Sequence, residues 1–249
     1  MTPSQTPPGP TTPRAALVLG LRESIGLPVA VLAASFLGFG SLVAKTDLPL
    51  WLGLASTLTG WALPGQVALV EMAAVGSSVL VIALAVGMVN ARLLPMTITL
   101  MPLLRAPGTR PWGLYAASHL IAVTSWIGLM QRGHRVPHAL RLSYFFGFSL
   151  PLWAMSLVAT AVGFHLAGAV PSAVSLGLVF LNPLYFLLVM CVDLRRRALL
   201  LSLMFGAVLG PLLHLLSPDW GLPATGLVGG TLAWLLARRG PPRDAPGHG

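Results

Sequence analysis

The sequence predicts an all-α fold, a polytopic bundle of helices integral to a membrane. Three observations carry that reading. Of the 249 residues 55% are hydrophobic and 8% are charged, and the mean hydropathy is +0.83, a charge content too low for a water-soluble domain. Uncharged apolar runs of about 20 residues, the length that crosses roughly 30 Å of hydrocarbon, recur along the chain. These runs show no two-residue alternation, so a closed barrel is excluded and helices remain as the structure that satisfies its own backbone in lipid.

The first stretch, MTPSQTPPGPTTPR, lacks the basic, apolar and small-residue order of a secretory signal. Its prolines and threonines predict a disordered cytoplasmic tail over residues 1–20. A second tail, GPPRDAPGHG, is expected over 240–249. Between them, residues 21–239 form one transmembrane helical domain of eight apolar segments: Ser24–Ala44, Leu48–Ala74, Ser77–Leu104, Trp112–Met130, Leu142–Ala167, Val170–Val192, Ala198–Leu216 and Trp220–Ala237.

Cation placement orients these segments. With both termini cytoplasmic and all eight crossing, eleven cations fall inside and Lys45, Arg105 and Arg110 outside, with Arg92 left within a segment. This satisfies the positive-inside rule. If segments two and four both turned back without crossing, Arg105 and Arg110 would move inside as well, giving thirteen against one. Turning back only one of them would destroy the asymmetry, so both cross or neither does. Eight crossings are the expectation, because segment four reads as unbroken and free of charge.

Segment two is unusual. At 27 residues it exceeds a simple span, and Leu63–Pro64–Gly65–Gln66 falls near its middle. Proline removes a backbone donor and clashes with the preceding turn, so a break is predicted there. Broken helices at membrane depth present partial charges to ligands, which makes the break a candidate substrate site; a kinked packing helix is the competing reading. Segment three places Asn90 and Arg92 in an apolar run, where polar groups usually face a cavity or a partner. Counting residues puts Gln66 and Asn90 at roughly similar depths, about 14 and 21 Å from the same boundary, where they either line one polar pocket or, the stronger expectation, hold the two helices together, whereas Glu71 and Arg92 are too far apart in depth to pair. Arg92 is expected to reach the outer surface along its own stem, with Pro95 ending the regular helix beside it.

The remaining signals are weaker. His119, His165 and His214 lie on different segments without metal-ligand spacing, so no metal site is expected. The lone Cys191 excludes an intramolecular disulfide. Asp193 to Arg197 reads as an orientation anchor that touches anionic lipid. The six acidic residues are scattered and no phosphate loop or nucleophile elbow occurs, so neither an enzyme nor a cofactor is expected. Residues 26–40 and 149–164 share a Leu-Pro start and a later Gly-Phe, a faint parallel repeat.

The order of motifs resembles one family. FLGFGSL (Phe36 to Leu42), WALPGQVALV (Trp61 to Val70), NARLLPMTITLMPLL (Asn90 to Leu104), and Trp153, Thr160 and Gly163 followed by LGLVFLNPLYFLLVM are together similar to the AzlC family of branched-chain amino acid exporters. The likeness runs from about Leu21 to Arg239. It implies a cytoplasmic-membrane permease that exports leucine, isoleucine, valine and sometimes methionine, together with a small hydrophobic partner of the AzlD type. It matches Gln66, Asn90 and Arg92 residue by residue. The chain departs from the pattern at Pro64, where a serine is typical, at Pro95, and at Thr124–Ser125–Trp126, where many members carry an acidic pair. Glu71 is the candidate to replace that carboxylate in coupling, the alternative being a place among the lipid headgroups.

A branched-chain amino acid is a zwitterion with an oily side chain, so its site needs donors, acceptors and an apolar pocket. Backbone donors after Pro64 and Gly65 would meet the carboxylate, and freed carbonyls before the break would meet the ammonium. Phe36, Phe39 and Trp153 are candidates for the apolar wall. Gly38 and Gly40 are expected to let the first helix approach the broken one. The alternative to export is a membrane scaffold subunit that transports nothing.

Overall fold

The computed structural model describes residues 10–169, 171–192, 197–216 and 218–238. Among these, every regular element is a helix: α1 (Pro13–Ser24), α2 (Leu27–Lys45), α3 (Leu50–Gly60), α4 (Leu63–Ala74), α5 (Val79–Asn90), α6 (Leu93–Leu104), α7 (Pro111–His119), α8 (Val123–Arg132), α9 (Arg141–His165), α10 (Ser172–Val192), α11 (Arg197–Leu216) and α12 (Pro218–Arg238). Two single 3-10 turns, Gly133–Arg135 and His138–Leu140, lead into α9. The chain divides into two compact units after Asn182. In the second, α11 and α12 pack on each other, with Gly229 set against Phe205 and Leu209. The predicted tail over 240–249 lies outside the described residues.

The first unit is organised around α9, whose 25 residues make a rod of about 37 Å. Together with α2 it is long and apolar enough to cross a membrane, as is the bent pair α5 and α6 if taken as one span. Small residues set its closest contacts. A Cβ on Gly20 would meet the Tyr144 carbonyl oxygen, and one on Gly147 the Leu17 carbonyl. Farther along, Gly40 faces the Thr160 carbonyl and Gly163 the Leu37 carbonyl, each with a hypothetical Cβ 2.0 Å from the oxygen. Gly20 pairs at residue 147 and Gly40 at residue 163, so α1 and α2 follow α9 in its own direction. Without side chains at these points the backbones approach to carbonyl contact, the packing mode of membrane helices that lack a hydrophobic drive to associate.

The N-terminal expectation needs correction. Residues 13–20, read as part of a disordered tail, are helical: Thr12 accepts from the Ala15 N–H as an N-cap, Pro13 opens the first turn, and Ala16 and Gly20 are buried against α9. The foot of this helix is tied down by charge. Glu23 accepts a hydrogen bond from the Tyr144 hydroxyl and lies 3.7 Å from the Arg132 guanidinium.

Segments two, three and four are each divided. Helix α3 ends at Gly60, the residue whose carbonyl would need the N–H that Pro64 lacks, and α4 starts at Leu63. The same relation joins Ala91 and Pro95. The regular helix α5 ends at Asn90 and α6 begins at Leu93 at an angle of 50°, so Pro95 opens the second half instead of closing the first. Segment four, expected to be unbroken, parts at Leu120–Ala122 without any proline. There the Ser125 hydroxyl donates to the Leu120 and Ala122 carbonyls and accepts from the Ala122 N–H, capping the new helix.

The contacts along α9 show which way each piece runs. Gly53 of α3 lies beside Thr160, and Trp61 reaches Ser156, so α3 descends from the C-terminal end of α9 toward its middle. Gln66 then bonds back to Ser56 and Thr57 at 3.1 and 2.8 Å. In a straight helix nine residues span about 13 Å, beyond the reach of these side chains, so α4 folds sharply away from the line of α3. Helix α5 packs on α4, and α6 ends beside the His138–Leu140 turn at the foot of α9; α4 therefore returns to the end from which α3 came. From the opposite end, α7 starts with Gly113 against Leu142, reaches Trp153 with His119, and α8 returns past Phe148 at Gly128 to Arg132. Segments two and four are re-entrant hairpins entering from opposite ends. The eight-crossing expectation gives way to the alternative in which neither crosses.

This arrangement predicts a labelling pattern. In a Cys191→Ser background, Val75→Cys will react with an impermeant thiol reagent from the same side as Ala169→Cys, and Pro107→Cys from the same side as Arg135→Cys. Eight crossings require the opposite pairing for both.

Candidate functional site

The two hairpin tips meet beside the midpoint of α9. Here the His119 Nε2 lies 2.7 Å from the Leu58 carbonyl oxygen, and its ring stands edge-on to Trp153, with centroids 6.2 Å apart. Since a carbonyl can only accept, Nε2 carries the proton. Behind the contact α9 presents Ser149, Trp153, Ser156 and Thr160, spaced to share one side of the helix. Ser149, Ser156 and Thr160 are fully buried. The Trp61 indole donates to Ser156 at 3.0 Å, and Thr57 and Thr160 hydroxyls sit 3.4 Å apart.

Gln66 is 3% exposed, and its amide orientation follows from its partners. Ser56 and Thr57 both donate their hydroxyl protons to the Gly53 carbonyl, at 2.8 and 2.9 Å, so toward Gln66 they accept and its NH₂ must donate. That leaves Gln66 Oε1 as a buried acceptor without a partner among the described residues. Asn90 Oδ1, Ser149 Oγ and Trp153 Nε1 are in the same condition. An unmet buried polar atom costs about 1–3 kcal/mol; of these four, Gln66 and Asn90 stand on adjoining elements and Trp153 lies beside the hairpin contact. Asn90 lies directly against Gly65: a Cβ there would come within 2.5 Å of its Oδ1. Two acceptors, Gln66 Oε1 and Asn90 Oδ1, thus stand on adjoining elements.

The sequence-predicted residues are distributed as follows. Pro64, Gly65 and Gln66 form the first turn of α4, and Asn90 ends α5 against them. Arg92 caps α6 at the bend and is exposed. Phe39 packs edge-on to Phe36 in the buried core. Gly38 and Gly40 do not serve the broken helix: Gly38 abuts Ser175, Leu178 and Val179 of α10, and Gly40 abuts α9, because the helices packed closest to α2 on those sides are these two. Trp153, expected as apolar wall, also brings an unpartnered donor. Glu71 is exposed on α4, without a salt bridge among the described residues. Among the described residues no three His, Cys, Asp or Glu side chains group as metal ligands.

Ser149 and Ser156 carry no signal in the sequence, and His119 is legible there only as a dismissed metal-ligand candidate. Each is an ordinary polar residue in an apolar run; only the facing of the second hairpin toward the first distinguishes them.

Helices that pair as broken elements, with half-helix ends directed at a polar junction halfway along a spanning rod, define the class: an integral membrane protein of the transporter kind. A family model described as "AzlC protein" matches residues 28–170, more than half of the chain, and the chain belongs to the AzlC family. That family is associated with branched-chain amino acid transport. No curated protein and no solved structure matches the chain.

Proposed function

We propose that this protein is a permease that exports branched-chain amino acids across the cytoplasmic membrane, and that the junction of the hairpin tips is where the cargo rests. The observation that carries this reading is the set of unpartnered buried groups there, acceptors at Gln66 Oε1 and Asn90 Oδ1 and a donor at Trp153 Nε1. An α-amino acid offers an ammonium to the first two and a carboxylate to the third. The N-terminal turns of α4 and α8 add unpaired backbone N–H groups suited to a carboxylate, and the ends of α3 and α7 add carbonyls suited to an ammonium. Leu120, Ile121, Leu63 and Trp61, all buried, supply apolar surface at the tips. Arg92, at the bend next to Asn90, is a further group for the carboxylate.

The orientation follows from charge. In the first unit Arg14, Arg22, Arg105, Arg110, Arg132, Arg135 and Arg141 belong to the N-terminal half of α9 and Lys45 to the other, which makes the foot of α9 cytoplasmic and export the outward direction along it. The family resemblance adds a small hydrophobic subunit of the AzlD type.

Proteoliposomes loaded with labelled leucine, isoleucine or valine test the reading. Efflux above protein-free vesicles, competed by the other two and not by lysine or glutamate, is expected, with the small subunit co-reconstituted in a second arm. Absence of efflux in both arms would overturn it in favour of a scaffold.

A further inference from the structure

The span formed by α5 and α6 carries a cation at its centre. Thirteen residues of 79–104 precede Arg92 and twelve follow it. The midpoint of a roughly 30 Å hydrocarbon core lies about 15 Å from either surface, farther than an arginine side chain extends, so Arg92 does not reach the headgroups along its own stem.

Arg92 also lies on the side of α5 that faces away from the junction. Helix α5 packs on α4, with Asn90 against Gly65, and a residue two positions on comes out on the opposite side of a helix. Ala91 and Arg92 keep helical dihedrals, so this spacing holds through the bend. Val81, Leu84, Met88 and Arg92, at steps of three, seven and eleven residues from the first, share that outer side. All four are exposed, and no residue of α5 is buried. The result is an apolar stripe that ends in one positive charge.

Among the described residues Arg92 makes no ion pair, and the pair that is present joins Arg132 to Glu23 at the foot of α9. The chain's other carboxylates are no better placed. Asp47 lies between α2 and α3, and Glu71 in the last turn of α4. Asp193, Asp219 and Asp244 lie at or outside the ends of the last three apolar segments. No carboxylate of this chain therefore falls halfway along a span, and a second copy cannot supply one either. Yet an ionisable group at membrane depth is costly without a partner of opposite charge.

We propose that the Val81–Leu84–Met88 stripe is the docking surface for a membrane helix of a different polypeptide, one that carries an aspartate or glutamate near its own midpoint and sets that carboxylate against Arg92. The planar guanidinium matches a carboxylate with two parallel hydrogen bonds, which fixes the depth of the partner helix as well as its attachment. The three apolar side chains above it give that helix a continuous contact. A guanidinium has five N–H donors, so a cargo carboxylate arriving from the junction and a partner's carboxylate on the outer side do not exclude each other. The proposal gives the small subunit of the transport reading a place to sit, but it rests on the geometry and charge of α5 and not on transport.

The test uses the full chain in phosphatidylcholine vesicles and a synthetic transmembrane peptide as probe, about 20 leucine and alanine residues between lysine flanks with one central glutamate. Val79→Cys in a Cys191→Ser background carries a fluorescence donor at the start of α5, and the peptide carries the acceptor at one terminus. Saturable energy transfer is expected with the glutamate peptide, and about tenfold weaker apparent affinity with a central glutamine. Arg92→Gln should remove that preference, and Arg92→Glu should transfer it to a peptide with a central arginine. Circular dichroism and size exclusion report whether each variant folds; should Arg92→Glu fail, Arg92→Gln decides alone. Equal binding of the glutamate and glutamine peptides overturns the proposal, as does a glutamate preference that survives Arg92→Gln. A preference abolished by phosphatidylglycerol assigns Arg92 to lipid phosphate and overturns it too. Transfer between differently labelled copies of the protein, lost in Arg92→Gln, would seat a second copy on the stripe with the same consequence. Amino acid efflux is read at no point, so docking and transport can each fail without the other.

Discussion

Replacing Gly163 by alanine will cost this protein its fold in the first unit, while the same change at Gly87 will leave it intact. At Gly163 the new methyl would sit 2.0 Å from the Leu37 carbonyl oxygen and 2.8 Å from Leu37 Cα. Those are backbone atoms, so no rotamer change relieves the clash and α2 must move off α9 as a body. Overpacking commonly costs up to about 3 kcal/mol, and here separation also breaks the reciprocal contact at Gly40 against Thr160 and exposes both helices' interface. We expect the detergent-solubilised variant to melt at least about 10 °C below the native protein or to elute as aggregate, by circular dichroism and size exclusion. At Gly87, in the middle of α5, an added Cβ meets nothing within 4 Å, and alanine there favours helix by up to about 1 kcal/mol. Equal melting of Gly163→Ala and native protein would show that the α2–α9 crossing is looser than described.

Replacing Gln66 by alanine will abolish most transport and leave the fold standing. The asymmetry comes from its hydrogen bonds. Ser56 and Thr57 donate to the Gly53 carbonyl whether or not Gln66 is present, so removing the amide strands no buried donor, and the loss of two accepted bonds costs on the order of 1 kcal/mol each at most. The cargo, by contrast, loses its acceptor for a charged ammonium. Hydrogen bonds to charged groups are worth about 1.5–3 kcal/mol, which converts to a roughly 10- to 100-fold weaker apparent affinity. Efflux as a function of internal leucine concentration, with melting temperature measured alongside, separates the two effects. Native-like flux with native-like stability would remove Gln66 from the site and leave the unpartnered Oε1 without a role.

Both predictions depend on features of different legibility. The membrane class, the helical fold and the break before Pro64 are present in the sequence, because hydropathy, charge scarcity and a missing N–H act locally and need no partner. Even so, proline alone does not decide. Pro151 lies inside α9, which runs on for 25 residues, whereas Pro64 opens a new helix. The difference lies in what surrounds the freed carbonyl and in Gln66 turning back to Thr57, contacts made across the break. Segment four shows the converse, parting where no proline stands because Ser125 caps a new start. In one dimension Thr-Ser-Trp in an apolar run is compatible with a continuous rod.

What the sequence determined by itself is therefore the medium and the material: a chain that must bury its backbone hydrogen bonds within helices, with a break at Pro64 and polar residues set in apolar runs. What only the tertiary structure decided is direction. Whether a broken segment continues or returns depends on which neighbours its second half finds, and those lie far along the chain: Thr57 at Thr160, Trp61 at Ser156, His119 at Leu58 and Trp153. Local propensity sets the cost of a bend, but long-range packing chooses its sense, and through that choice two separate apolar segments become the facing halves of one site.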